Sequence, residues 1–297
     1  IMTGELLYFA YGSNLNRDDL AKWCQEHRFD YPLGEKVANA YLPDARLIAN
    51  YYSHFRRGGI LNIKYQLGQV TPGALFRVLP GCWNVLDIKG DTENMYKHLN
   101  IVALTDDGRE HVAVAYQIDA SKTSPVFVPL HPDYRRIVRE GMAAHGIDAD
   151  VFTVVAEGRD PDYPIKHIFV YGTLMSEGPR HYLLAAWADL ESRLPARVHG
   201  LLYNSWKGFP CMIPDVTGRS HVVGEIYTLT DLKKAFEILD IVETAKRYAA
   251  TGTFFRRAII EVTREDGSKC PAWTYFVDMS VEGMPRIPSG SWRTVIA

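Results

Sequence analysis

The sequence predicts an α+β chain made of two tandem domains, each a small mixed β-barrel flanked by helices. Three observations carry this. The 297 residues exceed what one hydrophobic core usually serves and divide into two domains of ordinary size. One phrase occurs twice: Leu7-Tyr8-Phe9-Ala10-Tyr11-Gly12-Ser13-Asn14-Leu15 returns as His167-Ile168-Phe169-Val170-Tyr171-Gly172-Thr173-Leu174-Met175. Each half also shows about six short apolar strands against two or three helices, and short antiparallel strands of mixed order suggest a barrel.

In chain order, the strand 6–11 ends at Tyr11-Gly12-Ser13-Asn14, and Asn16 is placed to cap a helix through Leu20, Trp23 and Cys24. A loop leading into a helix N-terminus offers outward N–H groups to a carboxylate or phosphate, although many ordinary strand-to-helix turns look the same. The segments Ala45–Asn50, Gly59–Ile63 and Gly73–Val78 read as short strands. Asn62, polar within an apolar run, is expected to satisfy backbone groups. Trp83, Leu86 and Gly90 share one face of a helix over 81–90, and strands 98–104 and 111–118 flank the turn Asp106-Asp107-Gly108. Pro132-Asp133-Tyr134 opens a helix that ends at Gly146, and a second helix spans 148–157. The polar stretch 159–164 holds two prolines, which is linker composition, so the domains are expected at 2–158 and 165–297.

The second half repeats the order. Gly224-Glu225-Ile226-Tyr227 matches Gly73-Ala74-Leu75-Phe76, Leu239-Asp240-Ile241 matches Leu86-Asp87-Ile88, and Thr274-Tyr275-Phe276 matches Ala115-Tyr116-Gln117. Ordered pairs at offsets between 151 and 160 residues indicate a duplicated domain rather than a solenoid.

The helix after Thr230, read as its N-cap, carries Leu232, Phe236, Leu239 and Glu243 in one stripe. Asp231, Lys233, Lys234, Glu237 and Asp240 lie off that row, where solvation explains them. A carboxylate on the inward face resists ionisation, so the pKa of Glu243 should rise into the range useful for acid–base work near neutrality. The competing reading makes Glu243 the frayed last turn, reaching water or pairing with Arg247 or Arg257.

Composition bounds the partners. With 33 basic and 35 acidic residues there is no electrostatic footprint for nucleic acid or an acidic membrane surface, so a small neutral or zwitterionic partner is expected. The four cysteines, Cys24, Cys82, Cys211 and Cys270, show no CxxC spacing, which argues against a zinc site and a disulfide framework and for a reducing, cytoplasmic setting. The N-terminus lacks a basic stretch followed by a long apolar run, and no segment approaches the roughly 20 apolar residues of a membrane helix.

Two Tyr-Gly-Ser/Thr phrases, each followed by a Gly-x-φ-Tyr/Phe strand and a Leu-Asp helix, resemble the γ-glutamylcyclotransferase-like superfamily. The first half, with Phe9-Ala10-Tyr11-Gly12-Ser13-Asn14-Leu15, is similar to the γ-glutamylcyclotransferase branch; the second, with Phe169-Val170-Tyr171-Gly172-Thr173-Leu174, is similar to the γ-glutamylamine cyclotransferase branch. The resemblance covers nearly the whole chain and implies the barrel fold, two of which in one chain would form a built-in pseudo-dimer. It implies that Tyr171, Gly172, Thr173 and Leu174 form the substrate loop and that Glu243, as the Glu of Leu-Asp-x-x-Glu, is the acid/base. It further implies release of 5-oxoproline from a γ-glutamyl amide, with no metal, nucleotide or other cofactor.

The first half departs from the pattern where it matters most. Gly90 stands where the second half has Glu243, with Lys89 beside it, and Glu93 could serve only if the chain bends differently. Tyr134 fits the first branch, in which a Tyr borders the pocket. The first domain is therefore expected to keep a pocket, built on Tyr11, Gly12, Ser13, Asn14 and Tyr134, while being weak or inactive as a catalyst. Three readings stand: a cyclotransferase working through the second domain, a non-catalytic sensor of amino-acid-like ligands, or another amide lyase or acyltransferase on the same scaffold.

Overall fold

The computed structural model describes residues 6–205, 207–243, 245, 248 and 254–296. Residues 2–5 of the first expected domain, and Arg247, lie outside the described residues. The chain divides into two compact units, Ile1–Ala103 with His111–Pro164, and Leu104–Glu110 with Ile165–Ala297.

The first unit holds β1 (Leu7–Ala10), α1 (Arg17–His27), β2 (Leu33–Ser53), β3 (Gly58–Val78), α2 (Trp83–Gly90), β4 (Tyr96–Leu104), β5 (Glu110–Ile118), α3 (Pro132–Ala144) and α4 (Asp150–Ala156). Its strands close into a barrel in the order β1-β3-β2-β4-β5. The ring is mixed, because β1 runs antiparallel to β3 but parallel to β5. The three short strands expected between residues 45 and 78 are parts of two continuous strands of 21 residues each. Register shifts such as Pro43/Ala45 and Ala49/Tyr51 bend this long hairpin without ending it, which is why Gly and Pro punctuation reads as breaks in the sequence. Asn16 caps α1 by accepting from the Asp19 N–H at 3.0 Å, and Gly146, at φ 65°, follows the end of α3. Asn62 accepts from the Ile118 N–H at 3.0 Å, the backbone role expected of it.

The second unit repeats the plan with β6 (His167–Val170), α5 (His181–Ala185), β7 (Ala188–Asn204), β8 (Pro210–Pro214), β9 (His221–Leu229), α6 (Leu232–Val242), β10 (Phe255–Arg264), β11 (Lys269–Val277) and α7 (Arg293–Ile296). Its sheet order is β10-β11-β6-β9-β7-β8, and pairing of β10 with β7 closes five of these strands into a ring while β8 hangs from β7. Read from β6, that ring runs β6-β9-β7-β10-β11, the order of the first barrel, with a parallel contact again between its first and last strands. The expected small mixed barrel flanked by helices is therefore present in each half.

Glycine explains one conserved feature of the two copies. A Cβ at Gly73 would lie 2.4 Å from the Ala10 carbonyl oxygen, and one at Gly224 would lie 2.2 Å from that of Val170. Each glycine lets its strand press onto the strand that leads into the Tyr-Gly loop.

The stripe of α6 is buried as expected, with Leu232, Phe236 and Leu239 at 2 % exposure or less. Each such side chain contributes roughly 1.5–3 kcal/mol by leaving water. Phe236 meets Trp273 edge-on at 5.3 Å between ring centroids. The cap is one residue later than expected: Asp231, not Thr230, accepts from the Lys234 N–H at 3.0 Å. Thr230 instead donates its hydroxyl to the Trp187 carbonyl. No helix among the described residues is long and apolar enough to cross a membrane.

Candidate active site

Tyr171 leaves the end of β6 with its ring buried, and its hydroxyl donates to the Tyr275 carbonyl of β11 at 2.7 Å. This ties the start of the loop to the barrel wall. Gly172 is pressed against Pro210, where a Cβ would come within 2.6 Å of a ring carbon. The loop then turns tightly: the Met175 N–H donates to the Gly172 carbonyl at 3.0 Å, and the Arg180 N–H to that of Thr173 at 3.0 Å. The Thr173 and Leu174 N–H groups have no backbone acceptor among the described residues. Oriented amide loops of this kind bind anionic groups.

Glu243 caps the C-terminal end of α6, its N–H donating to the Leu239 carbonyl at 2.9 Å. Its side chain is buried, 9 % exposed, and this burial pushes the carboxyl up to about 7 against the opposing charge of Arg180. Glu243 and residues 171–174 line one cavity of about 290 Å³, with Arg180, Lys207 and Phe209 completing its rim. All five second-domain residues singled out from the sequence thus meet in one place.

Arg257, offered as a partner for Glu243, is engaged elsewhere. Its guanidinium lies 3.5 Å from the Asp240 carboxylate, 2.9 Å from the Tyr248 hydroxyl and 4.2 Å above the Phe236 ring. Asp240 itself is not the solvated residue expected from its place off the stripe. It is half-buried and accepts from the Tyr275 hydroxyl at 2.6 Å, because β11 closes over that side of α6. The recurrence of Leu-Asp in both halves was the signal for this pair.

Glu225 on β9 was also missed. Its carboxylate is 4 % exposed and accepts from the Ser176 N–H at 2.6 Å, the Tyr227 hydroxyl at 2.8 Å and Arg293 at 2.7 Å. Burial works against its charge, but the hydrogen bonds from Ser176, Arg293 and Tyr227 outweigh it and hold the carboxyl down at about 2. Glu225 therefore fastens the residue that follows Tyr171–Met175. Nothing about its place in an alternating strand distinguishes it from an ordinary solvated glutamate.

The first unit reproduces the frame. Tyr11 donates its hydroxyl to the Tyr116 carbonyl at 2.5 Å, and Tyr116 donates its own to Asp87 at 2.5 Å. Gly12, Ser13, Asn14 and Tyr134 line a cavity of about 450 Å³ together with Tyr11. The Tyr134 hydroxyl accepts from the Leu61 N–H at 3.3 Å and lies 3.5 Å from where a Cβ on Gly12 would be. Lys89 and Gly90 line this cavity, whereas Glu93 is exposed and away from its wall. No carboxylate occupies the place that Glu243 holds in the second unit.

All four thiols are free. Among the described residues no group of three or more His, Cys, Asp or Glu side chains is arranged to hold a metal ion.

Residues 168–294 match the family model described as gamma-glutamyl cyclotransferase, AIG2-like. Comparison with curated proteins gives no match. Among solved structures, the chain is similar to a gamma-glutamyl cyclotransferase, at 23 % identity over 54 % of this chain and 90 % of that one, with a TM-score of 0.44. It is similar to an AIG2-like protein from Mus musculus at 22 % identity over 42 % of this chain and 86 % of that one, TM-score 0.32. It is also similar to YkqA from Bacillus subtilis at 16 % identity over 92 % of this chain and 83 % of that one, TM-score 0.34.

Proposed function

From a second unit that matches the gamma-glutamyl cyclotransferase, AIG2-like family, we propose that this protein cleaves a γ-glutamyl amide through that unit, releasing 5-oxoproline and a free amine or amino acid. The observation that carries the reading is a buried carboxyl, poised at about 7, in the same cavity wall as a loop with two N–H groups that have no backbone acceptor among the described residues.

The substrate brings its own nucleophile. Its α-amine attacks the γ-carbonyl, the new C–N bond closes a five-membered lactam, and the amide C–N bond to the leaving amine breaks. Intramolecular attack supplies a large effective concentration, so the protein's task is to hold the substrate folded and carry protons from the attacking to the leaving nitrogen. The Glu243 carboxylate takes one proton from the α-ammonium to free the nucleophile and delivers it to the leaving nitrogen; the second proton, shed by the ring nitrogen after attack, passes the same way, so the amine departs as an ammonium and Glu243 ends each cycle as it began. The Thr173 and Leu174 N–H groups stabilise the oxyanion or hold the α-carboxylate. Arg180 and Lys207 at the rim favour an anionic substrate end. The proposed steps call on no group beyond these side chains and N–H donors.

The test is a panel of γ-glutamyl amines, amino acids and peptides, assayed for 5-oxoproline with the purified full chain. Release from at least one compound is the expected result. Binding without release points to a sensor, and cleavage only of other amides points to a different lyase or acyltransferase; either outcome overturns the proposal.

A further inference from the structure

The first unit's cavity carries a cation, Lys89, one residue before the place at which the second carries an acid. Lys89 lines it in the half-buried penultimate position of α2, and its ammonium lies 5.8 Å from the centroid of the Trp23 ring. Among the described residues Lys89 has no carboxylate partner within ion-pair distance. Arg56, the other cation in the wall, is already paired, since its two terminal nitrogens meet the two oxygens of Asp19 at 2.7 and 2.5 Å. Asp91 at the rim is exposed and accepts from the Asn94 side chain at 2.9 Å. Trp23, Tyr8, Tyr51, Tyr96 and Tyr134 supply aromatic wall around the same space of about 450 Å³, which His27 and His54 also line. A cation without an anion in an aromatic enclosure is costly, and burial, with Arg56 nearby, lowers the Lys89 pKa to about 8. An anionic ligand offsets that cost, and ring faces suit an unsaturated body.

We propose that this cavity binds a small aromatic carboxylate and holds it without cleaving it, with Lys89 as the counter-charge and the Trp23 and tyrosine rings as the walls. The loop N–H groups of Ser13 and Asn14, which like those of Thr173 and Leu174 have no backbone acceptor among the described residues, supply the second set of donors. With Gly90 in the place of the acid, no carboxyl is there to carry a proton between a bound amine and a leaving group. The inference concerns a different cavity from the one assigned to catalysis and does not depend on that reading.

Hippurate, which joins a phenyl ring to a carboxylate through an amide, is the probe, and its primary amide, hippuramide, is the neutral control. Isothermal titration of the full-length protein should show hippurate binding to the wild type, about tenfold or more weaker binding to Lys89→Met, and retained binding to Lys89→Arg. Hippuramide should bind weakly and equally to all three. The proposal is overturned if hippurate does not bind the wild type, if Lys89→Met binds it as the wild type does, or if hippuramide binds as tightly as hippurate. Circular dichroism and the thermal unfolding midpoint establish that the variants are folded, and a Lys89→Met protein that fails to fold leaves the hippurate-to-hippuramide ratio of the wild type to decide.

Discussion

The two units share a frame and differ in what hangs on it. In both, the Tyr after the first strand donates to a carbonyl of the last strand, Tyr11 to Tyr116 and Tyr171 to Tyr275. In both, that last-strand tyrosine donates to the Asp of a Leu-Asp helix, Asp87 or Asp240. In both, a glycine lets a neighbouring strand pass the loop's root at under van der Waals distance for any side chain. Among the side chains that differ on this frame are Gly90 against Glu243, Ala74 against Glu225, and Phe76 against Tyr227. The residues that hold the frame are thus separate from those proposed for chemistry, and one copy keeps the pocket while lacking the acid.

The sharpest way to break this comparison is Glu243→Gln, which keeps the shape and removes the proposed proton carrier. The rate of 5-oxoproline release should fall by about 10²–10⁴-fold with little change in substrate affinity. Next, Glu225→Ala should destabilise the second unit by about 2–3 kcal/mol in chemical denaturation, since Ser176 and Tyr227 lose a buried acceptor. It should also slow release, because Ser176 directly follows the loop; an unaltered rate would detach Glu225 from the site.

The two buried carboxylates of the second unit act on stability with opposite sign. Glu243 has a folded pKa raised from 4.5 to about 7, so the folded state binds its proton more tightly, and stability falls as pH rises from about 4.5 to about 7. Glu243→Gln should therefore unfold at a higher temperature than wild type near pH 8, by roughly 1–3 kcal/mol in stability, with the difference vanishing near pH 4. Glu225 has a folded pKa lowered to about 2, so its contribution is present above about 4.5 and is lost as pH falls towards 2. Smallest and most symmetric, Tyr11→Phe and Tyr171→Phe should each cost about 1 kcal/mol, and a large inequality would show that the shared frame is not shared in energy.

Much of this was legible in the sequence, for identifiable reasons. Duplication shows because it copies whole phrases, and the stripe Leu232, Phe236, Leu239, Glu243 shows because helical period maps directly onto burial. The length of β2 and β3 was not legible, because bulges let a strand continue through residues that usually end one. The cap of α6 was misplaced by one residue because Thr230 and Asp231 are both good caps and only geometry chooses between them. Asp240 and Glu225 were invisible as site-supporting residues, since their partners Tyr275, Ser176 and Arg293 lie 35, 49 and 68 positions away. Pairings of that span depend on the closed barrel, which local pattern does not encode.

The central claim is that proton transfer resides at Glu243 and nowhere in the first unit. It is tested most directly by single-turnover 5-oxoproline release from the best γ-glutamyl substrate, comparing wild type with Glu243→Gln at matched saturation. The account predicts release by the wild type and loss of at least about 10²-fold in the variant, with substrate still bound. Release by Glu243→Gln at the wild-type rate would contradict it and return the first unit to consideration as a catalyst.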